Sequence, residues 1–409
     1  MSSWLEQIDP VGHRRIKGLR LVTAYGLAAI LGRVLHRSYE FSGGQSLSYL
    51  AAGFALWASV SEGQTTRWLS ARDLAILNGA AVFGALMFVG LSSLPIRLGL
   101  AGPEWILITG AFLVGYLKRF GILGAGVGSQ IYIGQLLAYG VNITPQDVPM
   151  VLLAGLTAGV TSIVAQVFRR PVEPPMPTTV YASVPDSRVP LELRMALQSA
   201  IAALVIVLLS SVIHLQQSAW AITASTYVIA GSASGTADRV RRRIVGTLIG
   251  VPLGILCLPI CLHLPPLAWM LAAVAMIIYA IALPDRYDVA CAAYAFTLMV
   301  TLAVSGETSI SVLAARAWET LIGGSLGVAA ARFILPLARV TASDQKPQLL
   351  RPNTFPPASF GTSQRSTTVK QVASTRSTVP EISHSNTSGQ KSGTGKCEIR
   401  RTPGEHISQ

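Results

Sequence analysis

Apolar segments long enough to cross a bilayer recur along this chain from Leu19 to about Leu337, separated by short charged or Gly/Pro-rich stretches. A helix rises about 1.5 Å per residue, so roughly 18 to 25 apolar residues cross the hydrocarbon core. Inside that core the backbone must satisfy its own hydrogen bonds, which favours helices. Spans are expected near 19–36, 47–61, 74–95, 104–118, 122–140, 147–168, 193–213, 218–235, 244–264, 266–283, 288–305 and 311–338, twelve in all. Composition agrees, because 51% of the 409 residues are hydrophobic and only 12% are charged, more apolar than a water-soluble domain of this length needs. The expected fold is all-α and polytopic.

Charge orients such a bundle, since Lys and Arg stay preferentially on the cytoplasmic side. Arg14, Arg15, Lys17, Arg20, Arg67, Arg72, Lys118, Arg119, Arg169, Arg170, Arg188, Arg194, Arg239 to Arg243, Arg286 and Arg339 all fall on one side under this span list. The opposite loops hold Arg33, Arg37 and Arg97. Both termini are therefore expected in the cytoplasm. Met1 to Gly18 is a basic N-terminal segment with no apolar stretch and small-residue exit of the kind a signal peptidase removes. The net charge of +13 follows from the inner loops and a basic tail, and no interleaved basic and aromatic groove points to nucleic acid.

The chain divides into a first membrane half (19–168), a linker (169–192), a second half (193–338) and a tail (339–409). The linker holds six prolines, which keep it extended. The tail is rich in Ser, Thr, Gln, Lys and Arg and too polar to build a core, so disorder is expected, with weak attraction to anionic lipid. Adding 167 to the numbering carries Arg72 onto Arg239, Gly79 onto Gly246 and Lys118-Arg119-Phe120 onto Asp285-Arg286-Tyr287; adding 168 carries Gly155 and Gly159 onto Gly323 and Gly327. Two six-span halves with this register are expected to be parallel repeats with a pathway at their interface.

The segment "SGTADRVRRRIVGTLIGVPLG" sets Arg239, Arg243, Gly246, Gly250 and Gly254 at spacings of four, three, four and four. On a helix these share one stripe, with Arg242 beside it. The glycines permit close helix packing, so the arginines lie on the packing face. Placed in the first turn of the span, where the macrodipole favours anions, they would make a receiver for carboxylate or phosphate. Asp238 offsets part of their charge. The competing reading is an ordinary anchor to lipid phosphate, favoured for Arg241. The last span, "LAARAWETLIGGSLGVAAARF", carries Arg316 and Glu319 one turn apart, then Thr320, Gly323, Gly324 and Gly327. Charges at such depth usually face a bundle interior or a wet pathway, or form a mutually satisfied pair.

Trp220 to Gly254, followed after two spans by Arg316 to Arg332, resembles the fusaric acid resistance (FUSC) family of bacterial inner-membrane proteins, which includes aromatic carboxylic acid exporters. The matching pattern is Trp-x-x-Thr from Trp220 to Thr223, then Arg243, Gly246, Thr247, Gly250 and Gly254, then Arg316, Glu319, Thr320 and Gly323. The first half matches only in its number of spans and their spacing. Plant aluminium-activated malate channels are similar in outline. Larger family members carry a cytoplasmic domain between the two halves, whereas this chain has only the linker. The resemblance implies inner-membrane location and, in some members, a periplasmic adaptor.

Residues and resemblance together point to an organic anion. A carboxylate suits the guanidinium forks of Arg239, Arg242, Arg243 and Arg316. An aromatic ring suits Trp220, Tyr227 and Tyr294. Thr223, Ser225 and Thr226 offer hydroxyls, although such groups in spans mostly bond their own helix. The expected activity is secondary export of organic anions, aromatic carboxylic acids foremost, with Glu319, Asp238 or Asp285 as protonatable coupling residues. A passive anion channel and a structural component of an efflux complex are the alternatives; homo-oligomers are compatible with either. No cofactor or metal is implied: the six histidines are scattered, four cysteines lack ligand spacing, and "GSASG" has Ala233 where a serine nucleophile would stand. "SGTGKC" lacks the first glycine of a phosphate loop, and "GAGVGS" lies in an apolar span where helix packing explains its glycines. An enzyme is not expected.

Overall fold

The computed structural model describes residues 13–39, 46–63, 66–97, 99, 102–168, 190–213, 215, 218–283, 285–304 and 309–334. The expected tail, most of the linker and the first twelve residues lie outside them. All regular structure among the described residues is helical: α1 His13–Tyr39, α2 Ser46–Ser61, α3 Arg67–Leu91, the short α4 Ser93–Arg97, α5 Leu107–Tyr116, α6 Gly121–Gly140, α7 Val148–Val164, α8 Leu191–Ile213, α9 Ser218–Val228, α10 Ala233–Leu256, the short α11 Leu258–His263, α12 Pro265–Ala282, α13 Tyr287–Val304 and α14 Ile310–Phe333. Each expected span contains helix. Five helical stretches are long and apolar enough to cross a membrane: Arg14–Ser38, Arg67–Pro95, Pro103–Gly140, Pro145–Val167 and Leu191–Val212. Leu47–Ser61, Pro266–Ala282 and Tyr287–Ala303 are apolar but shorter.

Several boundaries depart from the sequence expectation. The segment 218–235 is helical only to Val228, and α10 starts at Ala233. Ser232 caps that helix by accepting from the Gly235 amide at 3.0 Å. Thr236 ties the turn together, accepting from the Ala230 amide at 3.0 Å and donating to the Ser232 carbonyl at 2.9 Å. With its own cap satisfied, α10 begins earlier than the apolar run. Arg239 to Arg243 therefore stand in the second and third turns, and the expected placement in the first turn is corrected; the macrodipole decays before reaching them. The segment 244–264 breaks at Cys257, where Pro259 opens α11. The last helix ends at Phe333, short of 338, and α8 begins at Leu191, inside the expected linker.

The helices are two-faced in the sense that a bilayer demands. On α10, Gly246, Gly250, Val251 and Gly254 are buried, while Val245, Leu248, Ile249, Leu253 and Leu256 are exposed. On α7, Val151, Ala154, Gly155 and Ala158 are buried, while Leu152, Leu156 and Val160 are exposed. Large apolar side chains thus face outward and small ones inward, because lipid is as apolar as Leu and association rests on close packing. The buried core accordingly draws heavily on alanine, including Ala24, Ala28, Ala51, Ala55, Ala81, Ala85, Ala111, Ala154 and Ala158.

Helix partnerships recur in the two halves. In the first, α3 packs on α6 and α7, α2 on α7, α5 on α6 and α1 on α2; in the second, α10 packs on α13 and α14, α9 on α14, α12 on α13 and α8 on α9. The halves meet where α5 packs on α8 and, correspondingly, α12 on α1. The glycine correspondences are looser. A Cβ on Gly246 would collide with the Asp288 carbonyl and with Cys291 Cβ, whereas one on Gly79 would meet nothing within 4 Å.

Three basic residues of α1 reach the turns of other elements. Arg14 pairs with Asp285 at 2.6 Å, joining α1 to the α12–α13 turn. Lys17 donates to the Glu62 carbonyl at 3.1 Å after α2, and buried Arg20 donates to Gln166 Oε1 at 3.0 Å after α7. The α10–α13 contact gives a stability prediction. Gly250→Leu should cost about 1–3 kcal/mol through overpacking, lowering the thermal midpoint in detergent. Gly79→Leu should leave it unchanged.

Candidate functional site

The four arginines of α10 point in different directions. Arg241 and Arg242 are exposed. Arg242 Nε lies 2.9 Å from Asp238 Oδ2, one helical turn back, with both side chains about half exposed. Arg239 is half-buried and interacts electrostatically with Lys118 of the first half. Arg243, also half-buried, turns inward, where Tyr287, Cys291 and Tyr294 of α13 act on its guanidinium. This follows from the glycine ladder: Gly246 sits against Asp288 and Cys291, and Gly250 against Ala292 and Ala295. Arg243, one turn before Gly246, is thereby brought beside Tyr287, one turn before Cys291.

Arg316 on α14 is 5% exposed. Its guanidinium carbon lies 3.4 Å from the centroid of the Trp220 ring, a cation–π contact worth more when water is excluded. Its Nε and Nη1 are buried with no hydrogen-bond partner. Tyr294, Glu319 and Tyr49 act on it through space. Burying guanidinium N–H groups without acceptors is costly, so the site is suited to receive an anion carrying acceptor oxygens. Glu319, one turn on, is 1% exposed and also acts on Tyr139 of α6. Gly323 and Gly327 bring α14 against α9, where added Cβ atoms would meet the Ala221 carbonyl and, at 2.8 Å, Val228. That approach sets Arg316 over Trp220.

The remaining expected residues divide. Thr223 is buried, donates to the Ala219 carbonyl at 2.7 Å and pairs with the Tyr132 hydroxyl at 2.8 Å. Tyr227 pairs with Ser129 at 2.7 Å and stands edge-on to Tyr132, ring centroids 5.9 Å apart. Ser225 and Thr226 both donate to the Ile222 carbonyl at 2.8 Å, closing their hydroxyls within their own helix. Asp238 and Asp285 lie in exposed pairs with Arg242 and Arg14, away from the buried guanidinium.

Sequence reasoning missed the contribution of the first half. Tyr49 and Trp57 of α2 and Ser129 and Tyr132 of α6 reach the same region; Trp57 stands edge-on to Tyr294 with centroids 5.5 Å apart. Tyr139 of α6 donates to Glu104 Oε1 at 3.0 Å, placing a second carboxylate nearby. The available signal was polar content: Ser129, Gln130, Tyr132 and Gln135 interrupt an otherwise apolar run, and Ser129 and Tyr132 share a face.

This arrangement defines a polytopic helical membrane protein with a buried, aromatic-framed guanidinium between its halves. Residues 202–330, which hold α9, α10, α13 and nearly all of α14, match the family model described as fusaric acid resistance protein-like. No curated protein and no solved structure matches the chain. Trp220→Leu should remove the ring beneath Arg316 and cost about 0.5–2 kcal/mol. Asp285→Asn, breaking an exposed pair, should cost no more than about 1 kcal/mol. Thermal unfolding of purified protein in detergent compares them.

Proposed function

We propose that this protein is a secondary transporter that exports organic anions, aromatic carboxylic acids foremost, across the bacterial inner membrane. In this reading twelve spans form two parallel six-helix repeats, with both termini cytoplasmic. The observation that carries it is Arg316: a buried guanidinium, stacked on Trp220, with two nitrogens lacking acceptors. A carboxylate would supply those acceptors in the geometry a guanidinium favours. Trp220, Tyr294 and Tyr49 would face the attached ring. The family match over residues 202–330 covers these second-half residues, and the recurrent helix partnerships are those that paired repeats would produce.

Roles follow from position. Glu319 is the coupling residue, because it is the acidic candidate buried near the guanidinium; protonation there would change the charge that Arg316 sees as the anion arrives or leaves. Arg239, with Lys118, forms a basic mouth. Arg242, held outward by Asp238, is placed for anionic lipid together with Arg241.

Counterflow in proteoliposomes tests this reading, with labelled 4-hydroxybenzoate outside and unlabelled organic anions inside. Arg316→Gln should lower stimulated uptake at least tenfold, about 1.4 kcal/mol, while Asp285→Asn stays near wild type. Glu319→Gln should retain exchange but lose accumulation driven by a pH gradient. Wild-type exchange by Arg316→Gln, or no exchange by the parent protein with any anion of the panel, overturns the reading.

A further inference from the structure

We infer that Arg243 and Arg316 are two separate, successive carboxylate stations, joined by Tyr294, and that transport passes the anion from one guanidinium to the other. The inference rests on the transport reading above and adds to it a second binding site and an order of events.

Helix geometry separates the stations. α14 runs alongside α9, with Gly323 against Ala221 and Gly327 against Ser225 and Val228. α10 turns back after the break that follows α9, so it runs opposite to α14. The two cross where Gly324 meets Val240. Arg316 lies eight residues before that crossing on α14, and Arg243 three residues beyond it on α10. At 1.5 Å per residue they stand about 12 Å and about 4.5 Å from the crossing, on the same side of it. Their backbone positions thus differ in depth by about 7–8 Å, too far to serve as one two-armed clamp without side-chain convergence.

Tyr294 connects them. Both guanidinium groups act on it, and Ala292 and Ala295, on either side of it, pack against Gly250, which sets its backbone near the depth of Arg316 and about two turns beyond Arg243. Trp57 from the first half holds its ring edge-on. The surroundings differ in chemistry. Arg316 has a ring face beneath it and nitrogens without acceptors, so it suits strong binding of an aromatic carboxylate. Arg243 is half-buried among hydroxyl-bearing rings and the Cys291 thiol, where neutral partners satisfy it less strongly than a carboxylate does. A weaker second station gives the anion somewhere to go without trapping it. Beyond it, one turn nearer the start of α10, Arg239 and Lys118 continue the line of positive charge.

Two stations predict that binding and movement separate. Equilibrium binding of labelled 4-hydroxybenzoate to purified full-length protein is measured beside proteoliposome counterflow, with elution profile and thermal midpoint as folding controls. Arg243→Gln should keep its Kd within about threefold of wild type while counterflow falls at least tenfold, and Arg243→Lys should recover part of the flux. Tyr294→Leu should likewise spare binding and slow exchange. A folded Arg243→Gln that loses binding in proportion to flux shows one composite site and overturns the inference, as does wild-type flux in that variant. Should Arg243→Gln fail to fold, Arg243→Lys decides: equal losses of binding and flux overturn the hand-off, and loss of flux alone supports it. Full binding in Arg316→Gln would instead sink the underlying assignment of the first station.

Discussion

The closeness of α10 to α13 and α14 is the constraint from which the candidate site follows. In a bilayer no hydrophobic force separates protein from solvent, so helices associate through dispersion and shape, and the gain rises as backbones approach. Gly246, Gly250 and Gly254 remove the Cβ atoms that would strike the Asp288 and Ala292 carbonyls and Met299, while Gly323 does the same against Ala221. With those faces in contact, the residues that continue the same stripe have no route to lipid. Arg243 is turned inward by the geometry that buries Gly246. Arg316, on the turns before Gly323, is held over Trp220.

Burying the Arg316 guanidinium, and half-burying that of Arg243, creates an electrostatic problem that the neighbouring side chains solve only in part. Aromatic faces and edges surround the charges, which softens desolvation without supplying anionic acceptors. The hydroxyls nearby are mostly committed: Thr223, Ser225 and Thr226 donate to carbonyls of their own helix, and Tyr132 and Tyr227 pair with Thr223 and Ser129. They build a rigid wall. What Arg316 lacks is acceptor oxygens for its Nε and Nη1, and that deficit, more than any single contact, is the physical case for the anion site proposed above.

Much of this was legible in the chain as letters. The apolar segments gave helices, the arginine and glycine spacing gave a shared face, and the Arg316/Glu319 pair stood out because charge within an apolar run demands a reason. The errors also have physical causes. Arg242 was grouped with Arg243, but adjacent helical residues diverge by about 100°, and an ion pair with Asp238 holds Arg242 outward. The start of α10 was misplaced because hydropathy tracks lipid, whereas the helix starts where Ser232 and Thr236 satisfy the first amides. Gly79 and Gly246 matched in register yet differ in use, since only one of them meets a neighbouring backbone.

The sequence by itself determined that the chain is helical and membrane-embedded, and that its second half carries charged residues on small-residue faces. Local composition and spacing suffice for these, because burial in lipid and helical periodicity act within one segment at a time. Only the tertiary structure decided which arginine is buried, which acidic residues stand apart in exposed pairs, and that Tyr49, Trp57, Ser129 and Tyr132 of the first half join the site. Apart from the local Asp238–Arg242 pair, those outcomes depend on contacts between segments roughly a hundred residues or more apart, where packing of whole helix faces, rather than any local preference, selects the neighbours of each side chain.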